Sequence, residues 1–318
     1  MSTKRRLTTL LTPMLVLAFV AASCGGSDEG GELSGTIRID GSSTVGPLSE
    51  VAAELFQGES SGVRVTVATS GTSGGFQKFC IGETDMNDAS RPIKDSEIEL
   101  CDENGIGYEG IQVANDALSL VVNPRNPIDC LTVAQASQIW DQASKVTRWG
   151  DIHGLELPSD MAGQKLDLYG PGTDSGTFDF FTEAINGEEG RVRTDYNSIG
   201  EDDQAAIVAV EGDEYAMGYI PYSFVQEAGD QVKALAIDGG DGCVDATLEN
   251  VQNGSYTPLG RPLFVYASDT ALQKPEVLAF MKFYLDNSEQ IAEAATFVPL
   301  TAEQIEQEQA RVDQLAGS

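Results

Sequence analysis

Short apolar runs with period-two alternation and longer stretches with apolar residues every three or four positions follow one another along most of this chain. Residues 36–39 read as a strand that ends in the turn Asp40-Gly41-Ser42-Ser43; Leu48, Val51, Ala52, Leu55 and Phe56 then mark a helix over 47–57. Residues 63–68 alternate as a strand, and the glycines from 71 to 75 lead into a helix through Phe79. Further on, the same reading gives strands at 117–122, 166–169 and 262–266, and helices at 132–140, 177–185, 273–289 and 301–315. Alternating β and α segments predict an α/β fold with parallel or mixed sheets flanked by helices. The strands at 117–122 and 262–266 read as crossings between lobes. They divide the chain into lobe one, 34–118 plus 262–318, and lobe two, 119–261.

The first residues follow another pattern. Lys4, Arg5 and Arg6 precede an apolar stretch from 7 to 22, and Ala21-Ala22-Ser23 lead to Cys24. This is the layout of a secretory signal peptide over 1–23. The stretch is too short and too interrupted for a spanning helix. A Cys directly after the small residues resembles a bacterial lipoprotein processing site. Cys24 is therefore the expected lipidation point, and 24–33 the flexible tether of an exported protein held on the outer face of the cytoplasmic membrane.

Charge narrows the partners. The chain has 19 Lys and Arg against 50 Asp and Glu. Loss of 1–23 removes three cations and no acid, leaving a net charge of −34. Such a surface disfavours nucleic acid and polybasic attachment to anionic lipid. After Cys24 four cysteines remain, Cys80, Cys101, Cys130 and Cys243, an even number that suits disulfides in an exported protein. Three pairings are open. The one that keeps each bridge inside a lobe is Cys80–Cys101 with Cys130–Cys243. No CxxC spacing is present, and no metal or cofactor is expected.

One design occurs three times. Ser42, Ser43 and Thr44 precede the helix at 47–57, Thr72 and Ser73 sit in a Gly-rich turn before the next helix, and Ser175, Gly176 and Thr177 open the helix at 177–185. Helix starts carry unpaired N–H groups and the positive end of the dipole. Hydroxyls add donors, so such a turn can hold an oxyanion without a lysine. Each motif alone is also an ordinary N-cap. Two in one lobe and one in the other imply a shared cleft. Arg91, made extended by Pro92, is a candidate bidentate cation, although a surface Arg paired with a neighbouring acid has the same appearance.

At these residues the chain resembles the PstS-like phosphate-binding subunit of bacterial ABC transporters. The matching segments are DGSSTVGPLSE (40–50), SGTSGGFQKFC (70–80), DASRPI (88–93), DSGTFDFF (174–181) and GYIPYSF (218–224), in that order. The resemblance implies a type II periplasmic-binding-protein fold, two lobes joined by two crossing segments, with inorganic phosphate in the cleft and permease subunits as partners. Carried over by position, it implies Ser43, Thr44 and the backbone of Val45 in the first phosphate loop, Thr72 and Ser73 in the second, and Ser175, Gly176 and Thr177 in the third. Two positions depart from better-known members: Pro171 stands where they carry Arg, and Arg91 where they carry Asp. The cation is expected to have moved between lobes, to Arg91. A carboxylate that accepts the phosphate proton would exclude sulfate; Asp174 and Asp88 are the candidates.

Other readings have less to stand on. His153 is the sole histidine, and no GxSxG elbow, HExxH pair or P-loop lysine motif occurs, so the chain does not read as an enzyme. A binding protein for sulfate, molybdate or a phosphonate remains the main alternative; an adhesive or sensory role on the same fold is weaker. The protein is expected to act as a monomer.

Overall fold

The computed structural model describes residues 33–173, 175–200 and 202–316. The chain opens with β1 (Gly35–Gly41), α1 (Gly46–Glu59), β2 (Val63–Ala68), α2 (Thr72–Phe79), β3 (Met86–Ala89), α3 (Asp95–Glu103) and β4 (Tyr108–Val122). There follow β5 (Cys130–Thr132), α4 (Val133–Trp140), β6 (Leu168–Gly170), α5 (Gly176–Asn186), β7 (Asn197–Ser198), α6 (Asp203–Gly212), β8 (Met217–Pro221) and α7 (Tyr222–Ala228). Then come β9 (Lys233–Ala234), β10 (Ala236–Asp238), β11 (Cys243–Val244) and α8 (Leu248–Gln252). The last part holds β12 (Gly260–Ser268), α9 (Asp269–Leu272), α10 (Pro275–Asp286), α11 (Ser288–Ala294) and α12 (Ala302–Ala316).

Two large apolar cores organise these elements into two lobes. The first is built from Ile37 and Ile39 of β1, Leu48, Ala52 and Phe56 of α1, Val63 of β2, and Phe280, Met281 and Tyr284 of α10. The stripe on α1 forms because its apolar residues recur every three or four positions; Phe56 meets Phe280 and Phe283 edge-on, each at 5.4 Å. The second core gathers Leu118 and Leu120 of β4, Trp140, Trp149, Phe181, Tyr219 and Leu259. There Phe181 stacks on Tyr219 at 3.8 Å while Trp140 stands edge-on to both. On β4, Ala114 belongs to the first core and Ala117 to the second.

The main sheet runs β2-β1-β3-β12-β4-β8-β6-β7, with β9 also on β4. Strand β4 is its spine. Tyr108 to Ala117 pair antiparallel with β12, after which Leu118 to Val122 pair with β8. The chain therefore changes core where β4 changes partner. A second, smaller sheet is β11-β10-β5, with all of its strands in lobe two.

Several boundaries differ from those the pattern predicts. Strand β4 begins at Tyr108, nine residues ahead of the apolar run, because Gln112, Asn115 and Asp116 are held as ladder residues by β12. The single helix predicted over 273–289 is two, since Asn287 ends α10 by donating its backbone N–H at 3.0 Å and its side-chain amide at 2.8 Å to the Phe283 carbonyl. Both disulfides pair as predicted: Cys80–Cys101 ties α2 to α3, and Cys130–Cys243 ties β5 to β11. Among the described residues no helix is long and apolar enough to cross a membrane. Cys24, with the rest of the expected signal and nearly all of the tether, lies outside the described residues.

Candidate functional site: a polar cleft at the lobe seam

The C-terminal end of β1 delivers Ser42, Ser43 and Thr44 to the seam. Ser42 is buried and organises the turn: its Oγ accepts from the Thr44 N–H at 3.1 Å and the Val45 N–H at 3.4 Å, and its carbonyl accepts from Gly46 at 2.9 Å. The second turn is tied to the first through Asp40, whose Oδ1 accepts from the Ser70 N–H and hydroxyl at 2.9 and 2.8 Å. Gly71 takes a φ of +80°, which glycine adopts without strain, and α2 starts at the next residue. Gly75 lets α2 lie directly on the end of β1, since a methyl there would stand 1.9 Å from Asn87 Oδ1.

These two turns line a cavity of about 310 Å³ with Ser43, Thr44, Thr72, Ser73, Ser90 and Arg91. The third turn lies across the seam. Ser175 caps α5 by accepting from the Thr177 N–H at 3.3 Å, and Ser175, Gly176 and Thr177 line an adjoining cavity of about 300 Å³. Ser43 and Thr44 face both cavities. The three helix starts thus meet around Thr44, in two chambers rather than one.

Charge in the first chamber is balanced. Arg91, Lys94 and Arg261 line it, and so do Asp179, Glu183 and Glu189. Arg91 is held by Glu97 in a two-pronged pair, Nη1 to Oε2 at 2.9 Å and Nη2 to Oε1 at 2.8 Å, and also donates to Ser73 Oγ at 2.8 Å. Burial pushes the Glu97 carboxyl up, but the Arg91 bonds outweigh it and leave the group below its ordinary value. Arg261, at the start of β12, meets Asp116 of β4 at 3.1 Å, donates to Thr44 Oγ1 at 3.2 Å and lies 3.6 Å over the Phe180 ring. Burial acts against both members of that pair, raising the Asp116 carboxyl and lowering the Arg261 guanidinium. Asp179 is pushed up to about 6, first by burial and then by Glu189, to which it hydrogen-bonds.

Comparisons with known proteins give the chain a family. The family model of the PBP superfamily domain matches residues 26–288. The phosphate-binding protein PstS of Staphylococcus saprophyticus is 34% identical over 313 residues, covering 98% of this chain and 94% of that protein. The chain is a PstS-like member of the PBP superfamily. Protein SphX of Synechococcus elongatus is 41% identical over 292 residues, 91% of this chain and 85% of its own length. A solved structure of a possible phosphate binding protein from Planctomyces limnophilus superposes with a TM-score of 0.83 at 40% identity, covering 89% of this chain and 99% of that one. Members of this family are substrate-binding proteins, so the chain is not an enzyme.

Within this PstS-like chain the structure brings together Ser43, Thr44, Thr72, Ser73, Arg91, Ser175, Gly176 and Thr177, and leaves out others of the predicted set. Val45 lines neither chamber: its side chain is buried in the first core, and its backbone N–H, the group expected at the ligand, is directed to Ser42 Oγ at 3.4 Å. Asp88 is a correction. It is fully buried on β3, takes the Ser49 hydroxyl at 2.8 Å and does not reach the cleft, because its side chain turns inward under α1. Asp174 lies outside the described residues. Arg261, Lys94, Glu183 and Glu189 line the cleft outside the quoted motifs, and Asp179, although inside the DSGTFDFF segment, was not singled out there. The signal for Arg261 was a cation beside a crossing strand in a chain poor in cations. His153 is exposed beside a groove of about 840 Å³ on lobe two, away from the cleft.

Proposed function

We propose that this chain binds inorganic phosphate between its lobes and delivers it to the permease of an ABC transporter, as its PstS relatives' name and its cleft chemistry together suggest. Thr44, shared by the two chambers, is the observation that carries the reading. A tetrahedral anion beside Thr44 is within the reach of donors from both lobes. Ser43, Thr44, Thr72 and Ser73 serve it from lobe one, with Arg91 at its edge, and Ser175, Gly176 and Thr177 serve it from lobe two. Lobe one comprises 34–118 with 262–318 and lobe two 119–261; motion about β4 and β12 shuts the two chambers on the ligand.

Selectivity follows from the carboxylates. Three face the chamber, which suits an anion that still carries a proton and penalises sulfate, which has none at neutral pH. Asp179, already near half-protonation at about pH 6, shares the acceptor role with Asp174. The net charge of −34 outside the cleft is screened beyond about 8 Å at physiological salt, whereas bonds inside a closed cleft are not.

The mature protein is a monomer anchored to the outer face of the cytoplasmic membrane through lipidated Cys24. Cys24→Ala moves it from the membrane to the soluble fraction if that anchor is used. Titration calorimetry with phosphate, and with sulfate in parallel, tests the ligand. Saturable phosphate binding with weak or absent sulfate binding supports the assignment; no phosphate binding removes it.

A further inference from the structure

The first chamber has three cations to offer an anion, and they are not equivalent. Lys94 is exposed, a point charge on a flexible stem in high dielectric. Both terminal nitrogens of Arg91 are committed, one to Glu97 and the Pro92 carbonyl, the other to Glu97 and Ser73. Its charge is matched by an acid of its own lobe, as that of Arg261 is by Asp116. Both side chains are largely buried, retaining 18% and 13% of their exposure. Arg261 differs in two ways. It lies on the seam itself, against Thr44 of lobe one and the Phe180 ring of lobe two. Among the described residues, its Nη1 takes no hydrogen bond, while Nε and Nη2 face Asp116.

We infer that Arg261 supplies the positive charge that holds the anion, and that Asp116 fixes its guanidinium across the two strands that join the lobes. This deepens the phosphate reading and rests on it. Arg261 and Asp116 are directly opposed in the β12–β4 register, so the guanidinium is anchored on both interlobe strands at once. An oxyanion that meets Thr44 Oγ1 is already beside Nη2 and can take Nη1 as a second donor, the two-pronged geometry guanidinium favours. The stack on Phe180 keeps the plane from rotating away as the lobes move. With Pro171 where better-known members carry Arg, the cation has moved, though to the start of β12 instead of to Arg91.

The full-length protein is tested by calorimetry with inorganic phosphate, and each variant is checked by thermal melting. Arg261→Gln weakens phosphate binding by at least about 30-fold, the usual loss when a buried anion keeps no charged partner. Arg91→Gln changes it only a few-fold. Asp116→Asn keeps an oxygen that accepts from the guanidinium and removes a competing negative charge, so binding stays at wild-type strength or tightens; a purely structural pair would weaken binding from either side. The double variant Arg261→Gln with Asp116→Asn is neutral at that position. It guards against misfolding from an unpaired buried carboxylate and is as weak as Arg261→Gln. Wild-type affinity in a folded Arg261→Gln or double variant overturns the inference, as does a loss of affinity in Asp116→Asn equal to that in Arg261→Gln. Failure of the wild-type protein to bind phosphate would instead overturn the phosphate reading.

Discussion

Arg91 and Glu97 lock together through two parallel bonds of 2.8 and 2.9 Å, six residues apart in sequence, at the start of α3. Glu97 also accepts the Lys94 N–H at 2.9 Å, satisfying a backbone donor at the start of that helix. The Arg that the motif offers as the ligand's cation therefore works first as a clamp between the second anion turn and α3.

Arg91→Gln should lower the melting temperature more clearly than it lowers phosphate affinity. Glu97 would be left buried without its partner, and the Ser73 hydroxyl would lose its donor. Differential scanning calorimetry beside ligand titration separates the two effects. A large affinity loss with an unchanged melt would put the charge back on Arg91.

Asp179→Asn tests the carboxylate side of the cleft. Asn keeps the shape and loses the negative charge, so sulfate is no longer repelled at that position. The ratio of sulfate to phosphate dissociation constants at pH 8 should fall by at least about tenfold. Equal ratios in wild type and variant would hand the discrimination to another group.

Gly75→Ala probes how the second turn is held. The added methyl would meet Asn87 Oδ1 at 1.9 Å and Gly41 Cα at 2.6 Å, both in the tightly paired ends of β1 and β3. Helix α2 must then lift, carrying Thr72 and Ser73 away from Thr44. Phosphate affinity and stability should fall together, the latter by about 1–3 kcal/mol as for other overpacked sites. A variant with native affinity would mean that the second turn is not at the ligand.

What the sequence disclosed and what it hid follow from the range of the interactions concerned. Glycines, hydroxyls and helix starts signal over a few residues, so the three turns were legible, as was the apolar stripe of α1. Arg261 gains its meaning from Asp116, 145 residues away, and from Phe180 in the other lobe. No local pattern carries that. Arg91 lines the cleft, and its pairing with an acid was an open alternative, but nothing local marks Glu97, an ordinary acid in the first turn of a helix, as the one that turns back. Asp88 misled because all four residues of β3 are buried, so no alternation marks which of them faces the cleft.

Removing the Cys130–Cys243 bridge should be costly because it spans 113 residues, most of lobe two. The chain-entropy account gives about 4–5 kcal/mol for a loop of that size. Cys130→Ser with Cys243→Ser should unfold at markedly lower denaturant, with the signal from Trp140 and Trp149 in the second core lost before that of the first. A single transition at the wild-type midpoint would mean the small sheet β11-β10-β5 contributes little.

Asp88 makes stability depend on pH in the opposite sense to a salt-bridged acid. Its carboxyl is wholly buried, Oδ2 has no hydrogen-bond partner among the described residues, and Ser49 supplies one donor to Oδ1. Burial pushes it up to about 8, partly offset by that hydroxyl. The folded state therefore keeps this proton through a range where the unfolded chain, with a carboxyl near 4, has released it. Since the folded state binds more protons there, stability falls as pH rises from about 4 to about 8, and the loss levels off above that. Over that window the single group is worth a few kcal/mol. Asp88→Asn keeps the shape and can still accept from Ser49, so its melting temperature should exceed that of the wild type at pH 8 and match it near pH 4. Parallel melting curves across the pH range in both proteins would place the titration elsewhere.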